Sequence, residues 1–207
     1  MDNNKVFWER VANVYGTFMK SNTSLYNNIS QKIKMHLKKD MVVLELACGS
    51  GQLTFPLAGY VKEWHATDFS SAMIRKAEKE NKIDTVSFSV QDATTLPWGD
   101  GKYDAVLIAN ALHIMPRPKE ALDEIFRVLK PGGLLFAPTF IWEDTFPVGL
   151  KIWLMQKIGF RVFHKWNEDA FVKFIAQRGF LVTDSIIMGS NLAPLCYLAA
   201  KKPFEEM

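Results

Sequence analysis

Glu45, Asp68 and Asp92 are carboxylates that each stand at or just beyond the end of a short apolar run, in MVVLEL, KEWHATD and TVSFSVQD. A turn of small residues, ACGSG at 47–51, follows the first run. Glycine turns of this kind commonly cradle phosphate on backbone N–H groups. Glu45, just upstream, argues otherwise, because its charge repels a pyrophosphate and can meet a cation. The dinucleotide fingerprint G-x-G-x-x-G is also incomplete: GSGQLT puts Thr54 where a third small residue belongs. Asp68 can accept both hydroxyl protons of a ribose. Asp92, in QDATTLPW, can accept from an exocyclic amine while a nearby backbone N–H meets a ring nitrogen. Taken singly, Asp68 and Asp92 also read as helix caps or turn formers.

The elements that must position these groups follow from apolar periodicity. Leu25, Ile29, Ile33 and Leu37 recur every fourth residue and predict a helix with one apolar face, Lys38 and Lys39 at its C-terminus. Buried strands are expected at MVVLEL, KEWHATD, TVSFSV, YDAVLIA and GLLFAP. Helices are expected from about Gln52, after a Ser70 cap, and over PKEALDEIFRVLK, which PGG stops. Strand and helix alternate, which argues for a mostly parallel sheet covered by helices on both faces. Asn167 caps a further helix that Gly179 ends, and the strands FLVTDSIIM and LCYLAAKK complete the chain. No firm domain boundary is visible. The 207 residues read as one domain, with a helical cap at 1–38 and an insertion at 140–166.

Composition narrows the function class. A hydrophobic fraction of 48%, a charged fraction of 23% and a net charge of +3 describe an ordinary globular chain without a broad basic stripe, so nucleic acid is not the expected partner. Two cysteines, Cys48 and Cys196, lack metal-ligand spacing and point to a reducing cytoplasm. The charged N-terminus MDNNKVFWER carries no apolar signal core, and no run reaches transmembrane length; a cytoplasmic protein without stable membrane insertion is the expectation.

The carboxylates and the turn together describe a ligand with a ribose, an adenine and a positive centre but no phosphate. S-adenosylmethionine fits that description. At these residues the chain resembles the class I S-adenosylmethionine-dependent methyltransferases, especially the small-molecule branch that includes the ubiquinone/menaquinone biosynthesis enzymes. VLELACGSG, ATDFS, QDATTLPW and FRVLKPGG carry the resemblance, which is strongest from about residue 41 to 136. It implies an α/β, Rossmann-like, seven-stranded sheet whose last strand is antiparallel, and a helical N-terminal lid. It also implies methyl transfer by in-line displacement to a small-molecule or lipid-like acceptor. Carried over by residue, Glu45 meets the methionine amino group, Gly49 and Gly51 line the methionine and ribose, and Asp68 holds the ribose hydroxyls. Phe69 and Met73 lie against the adenine, Asp92 and Ala93 read its edge, and Asn110 lies near the methionine end. Ala47 replaces the family's usual first glycine, so the turn is expected to avoid positive φ there.

Other side chains carry two readings each. His113, in NALHIM, is a candidate general base near the methyl donor, or a wall of the pocket. His65 reads as structural. Tyr15, with Trp8 and Phe18, belongs either to the lid over the cofactor or to an aromatic face packed on the core. Val148, Ile152, Met155 and Val162 sit at helical spacing among lysines and arginine, as a cap over an apolar substrate or as a surface helix on anionic lipid. The rival functions are a non-catalytic S-adenosylmethionine-binding module and an NAD-dependent oxidoreductase, which Glu45 and Thr54 disfavour.

Overall fold

The computed structural model describes residue 9 and residues 23–142, 161–190 and 193–204 of the chain. Helix α1 (Thr23–Lys34) is followed by β1 (Val42–Leu46), the short helix α2 (Thr54–Leu57), β2 (Glu63–Asp68), α3 (Ser71–Glu80), β3 (Val86–Val90) and β4 (Tyr103–Ile108). Then come α4 (Pro118–Val128), β5 (Leu129–Phe136), β6 (Thr139–Phe140), α5 (Glu168–Ala176), β7 (Leu181–Ser190) and β8 (Ala193–Lys201). Two of the expected caps are made by the expected side chains: Ser70 Oγ accepts the Met73 N–H and Asn167 Oδ1 accepts the Ala170 N–H.

The strands form one sheet in the order β3-β2-β1-β4-β5-β8-β6, with β7 on the other side of β8. β1 to β5 run parallel, and the last strand is antiparallel to β5, β6 and β7. The sheet therefore has eight strands where seven were expected. The extra one, β6, is two residues long, too short to show any apolar period. The helix expected from Gln52 is also only one turn, which closes through a 3-10 turn at Ala58–Tyr60.

Alternation along the strands splits the core into two layers. Leu44, Leu46, Val106, Ile108, Leu198 and Ala200 point to the face covered by α4 and α5, where Leu122, Ile125, Phe171 and Ile175 are buried. Val43, Trp64, Ala105, Leu107, Tyr197 and Ala199 point to the face covered by α1, α2 and α3. Ile29 and Ile33 of the expected helical stripe are fully buried there. Each such side chain contributes about 1.5–3 kcal/mol by leaving water. The loop from β3 to β4 is held by Arg127, whose guanidinium donates to the Leu96 and Trp98 carbonyls and pairs with Glu124 and Asp100. His65 is bonded to Tyr103 through Nδ1 at 2.8 Å, within β2.

Residues 161–167 are not helical, and their burial alternates along the segment. The helical spacing that includes Val162 therefore does not extend through that residue. Residues 143–160, which hold the remainder of that expected helix, lie outside the described residues, as do Trp8, Tyr15 and Phe18 of the expected lid. Glu9 accepts from the backbone N–H and hydroxyl of Ser71, at the first turn of α3.

Candidate functional site

Strand order reverses between β1 and β4, and ligands of open parallel sheets bind beyond the carboxyl ends of the strands at such a point. A cavity of ≈ 100 Å³ lies there. Its walls are the turn after β1, the end of β2, Met73 of α3, the Ala109–Ala111 stretch after β4, Ile114, and Tyr26 of α1.

The turn is tightly wound. Cys48 N–H donates to the Thr67 carbonyl, Gly51 N–H donates to the Cys48 carbonyl, and Gly49 N–H donates to Asp68 Oδ2 at 2.9 Å. Ala47, Gly49 and Gly51 all take left-handed backbone conformations, with φ of 55°, 57° and 94°. The expectation that Ala47 avoids positive φ is therefore overturned. The three N–H bonds that follow it fix the path of the chain, and the alanine absorbs a strain of about 1–2 kcal/mol.

Glu45 is 2% exposed and lines the cavity from β1. Its Oε2 accepts from Thr54 Oγ1 at 2.6 Å and from Trp64 Nε1 at 2.8 Å. Burial nonetheless pushes its carboxyl up to about 7, against the lowering effect of those two donors. Thr54 thus anchors this carboxylate from the place where a dinucleotide site has its third small residue. Asp68 Oδ1 accepts the Ser70 N–H while Oδ2 takes that of Gly49, and the Phe69 N–H bonds the same carboxylate. Its carboxyl is also raised, first by burial.

Asn110 is the other non-glycine with positive φ, 52°, among the described residues. Its N–H donates to the Pro138 carbonyl and its Nδ2 donates to the Tyr26 hydroxyl at 2.8 Å. Its Oδ1 is buried with no partner among the described residues. Tyr26 escaped the sequence reading. It flanks the apolar stripe of α1, and only the position after β4, 84 residues away, gives it a function. Cys48 also lines the cavity, with its thiol pushed well above the usual range by burial.

Of the expected site residues, Glu45, Ala47, Gly49, Asp68, Met73 and Asn110 come together around this cavity. Gly51, Phe69, Asp92 and Ala93 do not line it. Gly51 is buried against the Phe55 ring. Asp92 Oδ1 closes its own turn on the N–H and hydroxyl of Thr94. His113 also lies outside the lining. It is 4% exposed, its Nδ1 is 2.8 Å from Thr139 Oγ1, and Phe140 and Trp142 pack on its ring. Burial lowers it to about 3, so this imidazole is a poor proton acceptor at neutral pH. Among the described residues no cluster of His, Cys, Asp and Glu is arranged to hold a metal.

Two carboxylates and an unpartnered amide oxygen therefore face one cavity, and no lysine, arginine or histidine is among its described lining residues. Such a site favours a cation and rejects phosphate. The sequence profile of the methyltransferase domain family matches residues 44–137, the span from β1 to just beyond β5. Residues 44–137 resemble a methyltransferase domain. That domain contributes all of the site except Tyr26, which α1 brings to it. The chain is 39% identical over 106 residues to a demethylmenaquinone methyltransferase of Paenarthrobacter aurescens, covering 51% of this chain and 41% of that one. It is 34% identical over 149 residues to a protein of the same name from Staphylococcus aureus, covering 65% and 62%. The chain spans about half the length of the curated relatives it matches. The fold is that of an S-adenosylmethionine-dependent methyltransferase of Thermotoga maritima, with a TM-score of 0.74 at 19% identity over 95% of this chain and 98% of that one.

Proposed function

We propose that this chain binds S-adenosylmethionine at the β1–β4 switch point and transfers its methyl group to a small-molecule or lipid-like acceptor. The observation that carries the reading is the cavity's charge: Glu45 and Asp68 line it and no described basic side chain does. When bound, the cofactor supplies an electrophilic methyl group on a sulfonium. In this reading Glu45 faces the amino group, Asp68 holds the ribose hydroxyls, and the Gly49 turn lets the backbone approach. Met73 walls the adenine side, which extends toward Phe69, Asp92 and Ala93. The chain's own work is alignment and exclusion of water, which suffice for an in-line displacement. In this reading His113, buried against Thr139 outside the lining, is structural and not a base.

The acceptor is apolar and quinol-like in this reading, supported by the names of the curated relatives. The whole of 1–207 acts as one unit, with 1–38 and 140–166 covering the cofactor and acceptor and Tyr15 in the lid. The chain works in the cytoplasm without nucleic acid, a placement supported by two free, buried cysteines. No described helix is long and apolar enough to cross a membrane.

The test is transfer of a labelled methyl group from S-adenosylmethionine across a panel of prenylated quinols, phenols and amines. Turnover with a quinol that Asp68→Ala abolishes supports the reading. Binding of the cofactor without turnover on any acceptor makes the chain a sensing module instead.

A further inference from the structure

The tie between Tyr26 and Asn110 joins a helix outside the matched domain to the centre of the site. Asn110 offers two hydrogen-bonding ends. Nδ2 is committed to the Tyr26 hydroxyl, and Oδ1 is buried without a partner among the described residues. A buried acceptor left unsatisfied is destabilising. Its backbone leaves it little freedom to turn away, because φ is 52° and the N–H is fixed on the Pro138 carbonyl. Tyr26 itself is held by burial as a neutral phenol, with its titration pushed up to about 12. The oxygen therefore requires a hydrogen from whatever enters the cavity. Glu45 and Asp68, in the same lining, favour the most electropositive hydrogen available.

We propose that Tyr26 is a positioning residue: by holding Nδ2 it presents Asn110 Oδ1 to a hydrogen of the ligand's amino group. This inference rests on the cofactor reading above and deepens it. Tyr26 makes α1 part of the recognition of the amino acid end, so the helix is fastened in place when that end is bound. The adenosine end does not depend on the pair.

The experiment compares S-adenosylhomocysteine, which has the amino group, with methylthioadenosine, which lacks it, by calorimetry on the full chain. Three proteins are titrated: wild type, Tyr26→Phe and Asn110→Gly, the last keeping the left-handed backbone while removing the amide. The expected result is a loss of about tenfold or more in S-adenosylhomocysteine affinity for Asn110→Gly, the size of a hydrogen bond to a charged group. Tyr26→Phe loses severalfold, and methylthioadenosine affinity stays within about twofold in both variants. Equal losses for both ligands would mean that Tyr26 only packs α1 and would overturn the proposal. So would unchanged affinity for both ligands with a raised KM for the methyl acceptor, which would give the hydrogen to the acceptor instead. A wild-type protein that binds neither ligand overturns the cofactor reading itself.

Discussion

Replacing Glu45 by glutamine removes a buried charge from the site while keeping an oxygen for Thr54 and Trp64. In the native chain the carboxyl rises from 4.5 to about 7, chiefly through burial. At about 1.4 kcal/mol per tenfold, its ionisation is disfavoured by about 3 kcal/mol in the folded state. The folded protein then holds this proton more tightly than the unfolded chain. Stability falls as pH rises from about 4.5 to 7, and the full penalty is present above 7. Glu45→Gln cancels that penalty without a ligand. For a chain of this size about 1 kcal/mol moves Tm by roughly 2–4 °C. The ligand-free variant is therefore expected to melt about 6–12 °C above wild type at pH 8 and near wild type at pH 5. Differential scanning calorimetry at four or five pH values reads the difference directly. Affinity for S-adenosylmethionine should move the opposite way, rising in wild type from pH 5.5 to 7.5 and staying flat in the variant. A melting difference that is constant with pH, or a variant less stable than wild type at pH 8, would refute the argument that this carboxylate is held ready for a cation at the expense of stability.

Ala47→Gly relieves the left-handed strain at φ 55° and should raise stability by about 0.5–1 kcal/mol in urea unfolding, the gain being reduced by the freer unfolded chain. Gly51→Ala should do the reverse by about 2–3 kcal/mol, because a Cβ there stands 2.4 Å from Phe55 Cε2 at a φ of +94°. Asp68→Asn would turn an amide N–H toward the N–H of Gly49 or of Ser70, so both thermal stability and S-adenosylhomocysteine affinity should fall in calorimetry. His113→Asn should lower Tm while leaving the pH profile of methyl transfer unchanged, whereas loss of a basic limb in that profile would make the imidazole a base after all.

The parallel half of the sheet was legible because Val42–Leu46 and Tyr103–Ile108 are short apolar runs, Glu63–Asp68 falls between them in a strand–helix alternation, and Ser70 and Asn167 cap helices by local hydrogen bonds. β6 was not legible, since Thr139 and Phe140 form a strand only through their pairing with Cys196 and Leu195, far along the chain. The same distinction runs through the site. Glu45, Gly49 and Asp68 sit at strand ends, where sequence order alone predicts proximity. Asp92 sits at a strand end too, yet its carboxylate serves Thr94 two residues on, the turn-forming role that competes with ligand binding. Ala47 misled because alanine disfavours positive φ by a small energy that three hydrogen bonds donated by the N–H groups of the following turn outweigh. Tyr26 needed the packing of α1, and His113 needed its burial, before either could be assigned.

The most direct measurement is a calorimetric titration of the full chain with S-adenosylmethionine, S-adenosylhomocysteine and NAD under one set of conditions. A cavity with two carboxylates and no described basic side chain predicts micromolar binding of both adenosyl ligands and no binding of NAD. Tighter binding of NAD than of either adenosyl ligand would contradict that reading of the site.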